Sequence, residues 1–184
     1  MTTLHGPRVL LRQWRLEGAG SDLDAFAALN ADPRVMEFLP ALLSRDESAA
    51  MIARGHAHIS EQGWGFWALE VERRLIGFTG VTRPRFDAHF TPCVEIGWRL
   101  AYDAWGHGYA SEAARLALGY GFALLGLDEI VAFTATGNER SRRVMERLGM
   151  THDPDDDFDH PRIAAGHPLR RHVLYRLLRT NWRP

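Results

Sequence analysis

The residues best suited to chemistry lie between positions 94 and 121. Val94, Ile96, Trp98 and Leu100 alternate with Glu95, Gly97 and Arg99, the period of two that marks a strand with two distinct faces. Trp105-Gly-His-Gly-Tyr-Ala110 follows at once. Ala110, Ala113, Ala114, Ala117, Leu118 and Gly121 then fall on one helical stripe. A strand, a glycine turn and a helix start together make an anion site. The N–H groups of the turn point the same way, the first helical turn leaves its own N–H groups unpaired, and the helix dipole adds positive potential. Gly106 and Gly108 let a phosphate approach the backbone with no Cβ in its path, and Ala110 keeps the helix start close to its neighbours. The chemistry predicted is a pyrophosphate cradle. The same glycines, taken alone, are also compatible with a tight strand-to-helix turn that binds nothing.

Two other phosphate-binding patterns fit poorly. A P-loop needs a Gly-Lys-Ser/Thr ending, and here the turn runs on as Tyr109-Ala110-Ser111. A dinucleotide fingerprint needs an acid at the end of the next strand, whereas Asp128 and Glu129 precede it. Asn138 and Ser141, three residues apart, open a later helix, and Asn138 reads as its N-cap. Arg140, Arg142 and Arg143 on that helix suit a solvated face or a phosphate contact. Glu112 lies in the first turn of the preceding helix, where negative charge suits the dipole, and reads as structural. The nine histidines show no metal-ligand spacing; His56 and His58 fall on different helix faces. Asp153-Pro-Asp-Asp-Asp-Phe-Asp159 carries five aspartates, a solvated loop or a lure for a cationic acceptor. Tyr175 on the last strand is a further candidate for an acceptor pocket.

These residues must be positioned by the following elements. Arg8 to Trp14 reads as a first strand. Ser21 with Asp24 opens a helix that Asp32-Pro33 stops. Ser44-Arg-Asp-Glu47 is a capping box opening a second helix, with Ala49, Ile52, Ala53 and Ala57 on its buried stripe and its end near Gly63. Phe66–Val71 and Leu75–Thr82 read as a hairpin joined by Glu72-Arg73-Arg74. Pro84 and Pro92 bracket a loop before the Val94–Leu100 strand and the glycine turn. Then come a strand at Glu129–Ala135, a helix from Asn138 to Leu148 closed by Gly149, a short strand at Met150–His152, a polar loop over Asp153–Leu169 and a last strand at His172–Leu178. Helices alternate with strands only in the second half, which predicts an α/β (α+β) fold with one mixed sheet and helices on both faces. No internal repeat or linker interrupts residues 1–184, so a single domain is expected.

The Val94–Leu100 strand, the Trp105-Gly-His-Gly-Tyr-Ala-Ser-Glu112 turn, and Asn138-Glu-Arg-Ser141 with Glu146-Arg-Leu-Gly-Met150 together resemble the GCN5-related N-acetyltransferases (GNAT superfamily). Within them the resemblance is to the ribosomal-protein N-terminal acetyltransferases, the RimJ/RimL branch. The opening strand and the closing Val173-Leu-Tyr-Arg-Leu177 extend it over nearly the whole chain. The family signature is Gln/Arg-x-x-Gly-x-Gly/Ala. Gly108 and Ala110 match it, while Trp105 stands at its first position, a form familiar in this branch. The resemblance implies a mostly antiparallel sheet of six to seven strands, the acyl-CoA N-acyltransferase fold. It also implies transfer of an acetyl group from acetyl-coenzyme A to a primary amine, on a peptide N-terminus or a small molecule, by direct attack on the thioester, with no metal. The backbone of Trp98, Arg99 and Leu100 would run beside the pantetheine arm and offer an N–H to the developing oxyanion. Trp105, Gly106, His107, Gly108, Tyr109, Ala110 and Ser111 would hold the pyrophosphate. Asn138 would hydrogen-bond the pantetheine, and Ser141 near the sulfur would protonate the leaving thiolate. Glu95, opposite Val94, Ile96 and Trp98, is our candidate for accepting the amine proton, through water, though an exposed or paired strand glutamate reads equally well. The alternative is a non-catalytic acyl-CoA-binding module that regulates a partner. A nucleotide-binding oxidoreductase is a third reading.

Composition sets the remaining expectations. The chain has 184 residues, a formal net charge of −1, a hydrophobic fraction of 46% and a charged fraction of 24%. Nothing in that balance pulls toward nucleic acid or a membrane surface. One cysteine, Cys93, excludes an internal disulfide framework and a CxxC site, and suits a reducing cytoplasm. Acetyl-coenzyme A and an amine acceptor are the expected partners. A homodimer stays open, and the acceptor's identity is not written in the sequence.

Overall fold

The structure, a computed structural model, describes residues 2–18 and 20–183. Nine strands form one sheet: β1 (Leu4–His5), β2 (Leu10–Arg12), β3 (Phe66–Val71), β4 (Arg74–Thr82), β5 (Glu95–Leu100), β6 (Glu129–Ala135), β7 (Thr151–His152), β8 (Phe158–Asp159) and β9 (Arg171–Leu178). Their order is β1-β2-β3-β4-β5-β6-β9-β7, with β8 also pairing β9. Every pairing is antiparallel except β5 with β6. The helices are α1 (Leu23–Ala31), α2 (Pro33–Met36), α3 (Arg45–Gln62), α4 (Tyr109–Ala123) and α5 (Glu139–Arg147). α1 and α3 pack on the sheet face that carries Phe66 and Phe78. α4, with α5 beside it, packs on the opposite face, where Tyr120 meets Trp67 edge-on.

The longer elements follow from local chemistry. At α3 the capping box is complete: Glu47 N–H donates to Ser44 Oγ, and Ser44 N–H donates to the Glu47 carboxylate at 2.8 Å. Gly63 closes the helix at φ 80°. The β3–β4 connection is a two-residue turn in which Glu72 and Arg73 both take positive φ, so Arg74 already belongs to the strand. At α5, Asn138 Oδ1 accepts from the Ser141 N–H as an N-cap should.

The structure corrects the expected elements in several places. The sheet has nine strands rather than six to seven, because β1, β7 and β8 are two-residue strands, too short to leave a period; of these only β7 had been expected. β8 lies inside the segment expected to be a loop, and α2 forms after the Asp32-Pro33 stop because Asp32 caps it by accepting from the Arg34 N–H. The first helix starts at Leu23, with Asp22 before it making no cap bond. Its carboxylate is taken instead by Arg12 at 2.8 Å on both oxygens and by the Arg15 N–H. On α3 the buried stripe is Ser48, Ile52 and Ile59, while Ala53 and Ala57 are exposed. Alanine has too little apolar area to fix the rotation of a helix. Ser48 is drawn in by Asn30, and Gly55 admits the Trp14 indole.

Candidate active site

The site is an opening in the sheet. β5 and β6 meet at one register pair, Glu95 with Val131, and then part. On its other side β5 pairs with β4 along its whole length. An antiparallel ladder turns the backbone groups of alternate residues toward the partner strand. Ala101 N–H bonds Ile76 C=O, so Arg99, Gly97 and Glu95 direct their backbone groups at β4. Trp98 therefore turns its N–H and C=O, and Leu100 its N–H, toward the side from which β6 has withdrawn. The Leu100 C=O on that side is occupied by the Trp105 indole N–H at 2.9 Å. Arg99, expected to serve through its backbone with Trp98 and Leu100, reaches the cleft only through its side chain.

The gap widens into a cleft of about 1220 Å³. The residues expected to hold the donor and to move protons all line it: Glu95, Trp98, Arg99, Leu100, the whole run from Trp105 to Ser111, Asn138 and Ser141. At one end is the glycine turn. Gly106 and Gly108 have φ 79° and 81°, and the backbone N–H groups from Gly106 to Ser111 have no acceptor among the described residues. A Cβ at Gly106 would meet nothing within 4 Å, so the space in front of the turn is open. Trp105 differs from its neighbours: its N–H is bound to Tyr102 C=O. A row of unpaired N–H groups at a helix start fits an anionic phosphate group.

Arg8 fixes this end from across the fold. Its backbone N–H and its guanidinium both bond the Glu112 carboxylate, at 2.7 and 2.8 Å, and the guanidinium also donates to His107 C=O. Glu112 is structural, as expected, but through this clamp as well as the helix dipole. Arg115, Arg140, Arg143 and Arg147 also line the cleft, with Arg140 paired to Glu37 and Arg143 to Glu139. Arg142 does not: it donates to Thr136 C=O and to the Tyr175 hydroxyl.

In the middle of the cleft Asn138 is held tightly. Its Nδ2 donates to Thr134 Oγ1 at 2.9 Å and to Ser141 Oγ at 3.2 Å, while Oδ1 caps the helix. Ser141 Oγ accepts from Asn138, which leaves its own proton free to be donated elsewhere. Glu95 sits where β5 and β6 part, and burial pushes its carboxyl up to about 8. The other end is walled by Val35, Phe38, Leu39, Met51, Phe66 and Phe78.

Tyr175 and the aspartate-rich segment, both noted in the sequence, stand elsewhere. Tyr175 is buried in β9, where its hydroxyl donates to Glu146 and its ring stacks on His152, and it does not reach the cleft. The aspartate-rich segment is tied into the fold: Asp156 pairs with Arg176 and His89, Asp157 with His152, and Asp159 with Arg170 and Arg171. Asp153 caps its own turn. Conversely, Thr134, Phe133 and the apolar wall from Val35 on α2, Phe38 and Leu39 after it, Met51 on α3 and Phe66 and Phe78 on the sheet line the cleft without having been singled out, because their elements carry no local signal of a site. Among the described residues no cluster of three or more His, Cys, Asp or Glu is placed to hold a metal, and no helix is long and apolar enough to cross a membrane.

Known proteins are similar to this chain. Residues 8–151 match the family model of the acetyltransferase (GNAT) domain. The chain is 32% identical over 165 residues to the FsC-acetyl coenzyme A-N(2)-transacetylase of Aspergillus fumigatus, covering 84% of this chain and 68% of that protein. It is 37% identical over 88 residues to the putative ribosomal N-acetyltransferase YdaF of Bacillus subtilis, covering 48% of this chain and 46% of that one. The crystal structure of an acetyltransferase from Agrobacterium tumefaciens superposes with a TM-score of 0.73 at 26% identity, covering 96% of this chain and 94% of that one. A sheet that parts beside a turn of unpaired N–H groups, in a chain matched over most of its length by that family, makes this protein a member of the GNAT acetyltransferases, enzymes that use acetyl-coenzyme A as acyl donor.

Proposed function

We propose that the chain, as a single domain, moves the acetyl group of acetyl-coenzyme A to a primary amine by direct attack of the amine nitrogen on the thioester carbon. The observation that carries this reading is the parting of β5 from β6 at Glu95. It leaves the Trp98 and Leu100 N–H groups unpaired at the mouth of a cleft that runs on to the unpaired turn Gly106–Ser111. An extended chain ending in phosphates fits such a groove: its amide groups pair with the free strand edge, and its pyrophosphate lies on the helix start. A free N–H on the edge then faces the thioester oxygen as it gains charge. Glu95 accepts the proton lost by the amine, the C–N bond forms, the C–S bond breaks, and the Ser141 hydroxyl supplies the proton taken up by the thiolate. Asn138 acts as the positioning residue for Ser141: its donated hydrogen bond orients the hydroxyl so that the proton points away from Asn138.

The test is release of free thiol from acetyl-coenzyme A across a panel of amines that includes peptides, amino acids, polyamines and aminoglycosides. Turnover with at least one class is expected. Tight binding of acetyl-coenzyme A with no thiol release from any of them would support the non-catalytic module instead. The donor end has a separate check. Gly108→Ala places a side chain at φ 81°, a backbone region that costs an ordinary residue roughly 1–2 kcal/mol, so the turn relaxes and its N–H groups re-aim. The dissociation constant for acetyl-coenzyme A, measured by calorimetry, is expected to rise about tenfold, and an unchanged constant would remove the turn from the donor site.

A further inference from the structure

Arg99 has no partner equal to its charge. Its Nη1 donates to Asn30 Oδ1 at 2.7 Å, and its Nε is buried without any hydrogen-bond partner. No carboxylate pairs with it among the described residues, although the guanidinium lies in the cleft against the Phe78 ring. A buried charge left half-satisfied is costly unless something binds it. Burial lowers its pKa only to about 10, so it stays cationic at neutral pH.

Its position gives the observation direction. Glu95, Gly97 and Arg99 share one face of β5, and the Phe66 ring packs over Gly97 between them. Glu95 and Arg99 lie about 13 Å apart along the strand by Cα spacing and form no ion pair with each other. The carboxylates lining the cleft are Glu95 and Glu112, and Glu112 is held by Arg8. The cleft therefore presents an acid and an unpartnered cation on one floor, under an apolar wall of Phe38, Leu39, Met51 and Phe66. A guanidinium recognises a carboxylate by charge-assisted hydrogen bonds; Nε is closed off by its surroundings and Nη1 is taken by Asn30, so the donor left for the cleft is Nη2.

We infer that the acceptor is a zwitterion of amino-acid type, with its amine toward Glu95, its carboxylate on Arg99 and an apolar body against the wall. This rests on the amine-acetylation reading and narrows it. Asn30, fixed by Ser48 of α3, positions the guanidinium from behind.

The test compares kcat/KM for phenylalanine, phenylalaninamide and phenethylamine in the wild type, Arg99→Met and Arg99→Lys. Because each enzyme is compared across the same amines, intrinsic amine reactivity cancels between enzymes. The wild type is expected to favour the amino acid about 100-fold, since a site built for a polar group rejects the analogue lacking it. In Arg99→Met that preference is expected to fall to a few-fold, mainly through KM, and Arg99→Lys to restore part of it. A purely structural Arg99 would lower all three rates together and leave the preference unchanged, which overturns the inference. Equal use of all three amines by the wild type also overturns it while leaving amine acetylation intact. Absence of turnover with these three amines overturns the inference, and amine acetylation falls with it only if the wider panel of peptides, polyamines and aminoglycosides is also unused. Arg99→Lys keeps the charge toward Asn30, so a folding failure confined to Arg99→Met does not decide the outcome.

Discussion

Replacing Glu95 with glutamine is expected to lower kcat/KM for the amine about 100-fold at pH 7 and by less than tenfold above pH 9.5, the range typical for loss of a general base. The wild-type rate should rise with pH and bend near 8, where the buried carboxyl loses its proton. Above that bend the ionised Glu95 strips a proton from bound ammonium. The glutamine variant can use only amine that is already neutral, so its rate keeps climbing to the amine's own pKa and the gap closes. Identical profiles for the two enzymes would remove Glu95 from proton transfer. Stability gives a second readout that does not involve turnover. The folded protein holds this proton more tightly than an exposed glutamate with its ordinary value of 4.5 does. The stability contributed by the neutral form is thus complete below about pH 4.5 and is lost as pH rises through about 8. Glutamine has no charge to desolvate. The variant should therefore overtake the wild type in unfolding free energy, measured by urea titration, between pH 5 and pH 9, by on the order of 2 kcal/mol at the upper end. The residue that lowers stability at alkaline pH is the one expected to do the chemistry there.

The second large effect concerns folding. Arg12→Met is expected to destabilise the protein by about 3–5 kcal/mol, a sizeable part of the total for a domain of this size. Arg12 is buried between Asp22 and Glu70, at 2.8 Å from each Asp22 oxygen and 2.7 Å from Glu70. The cluster ties β2 and β3 to the start of α1, and the two carboxylates together hold the guanidinium above its usual pKa range against the cost of burial. Removing the cation leaves two buried carboxylates, with only the half-exposed Arg15 still near Glu70 at 3.0 Å. The double variant Arg12→Met/Glu70→Met should recover part of the loss, because it removes one of the stranded charges. An unfolding free energy, measured by urea titration, that falls by less than about 1 kcal/mol in the single variant would show that water reaches the cluster in place of Arg12.

What the sequence determined was local. The glycine turn, the capping box at Ser44 and Glu47, the Asn138 cap and the strand at Glu129–Ala135 each depend on residues a few positions apart, whose backbone angles and side chains decide the structure among themselves. Their order was enough to bring the family into view and to name Glu95, Trp98, the turn from Trp105 to Ser111, Asn138 and Ser141, all of which line the cleft, while Phe133 and Thr134 went unnamed. What only the tertiary structure decided were the relations across distance. Arg8 clamps the turn through Glu112, 104 residues away. The five-aspartate segment read as free negative charge until Arg170, Arg171 and Arg176 were seen to neutralise much of it. Arg99 was named for its backbone, yet the ladder with β4 takes that backbone and leaves the side chain in the cleft. The physical reason is the same in each case. A hydrogen bond or ion pair needs both partners, a local pattern specifies only one of them, and the second arrives through the packing of strands far apart in the chain. The parting of β5 and β6 is the clearest instance: neither strand's sequence says where its neighbour leaves it, and that departure makes the site.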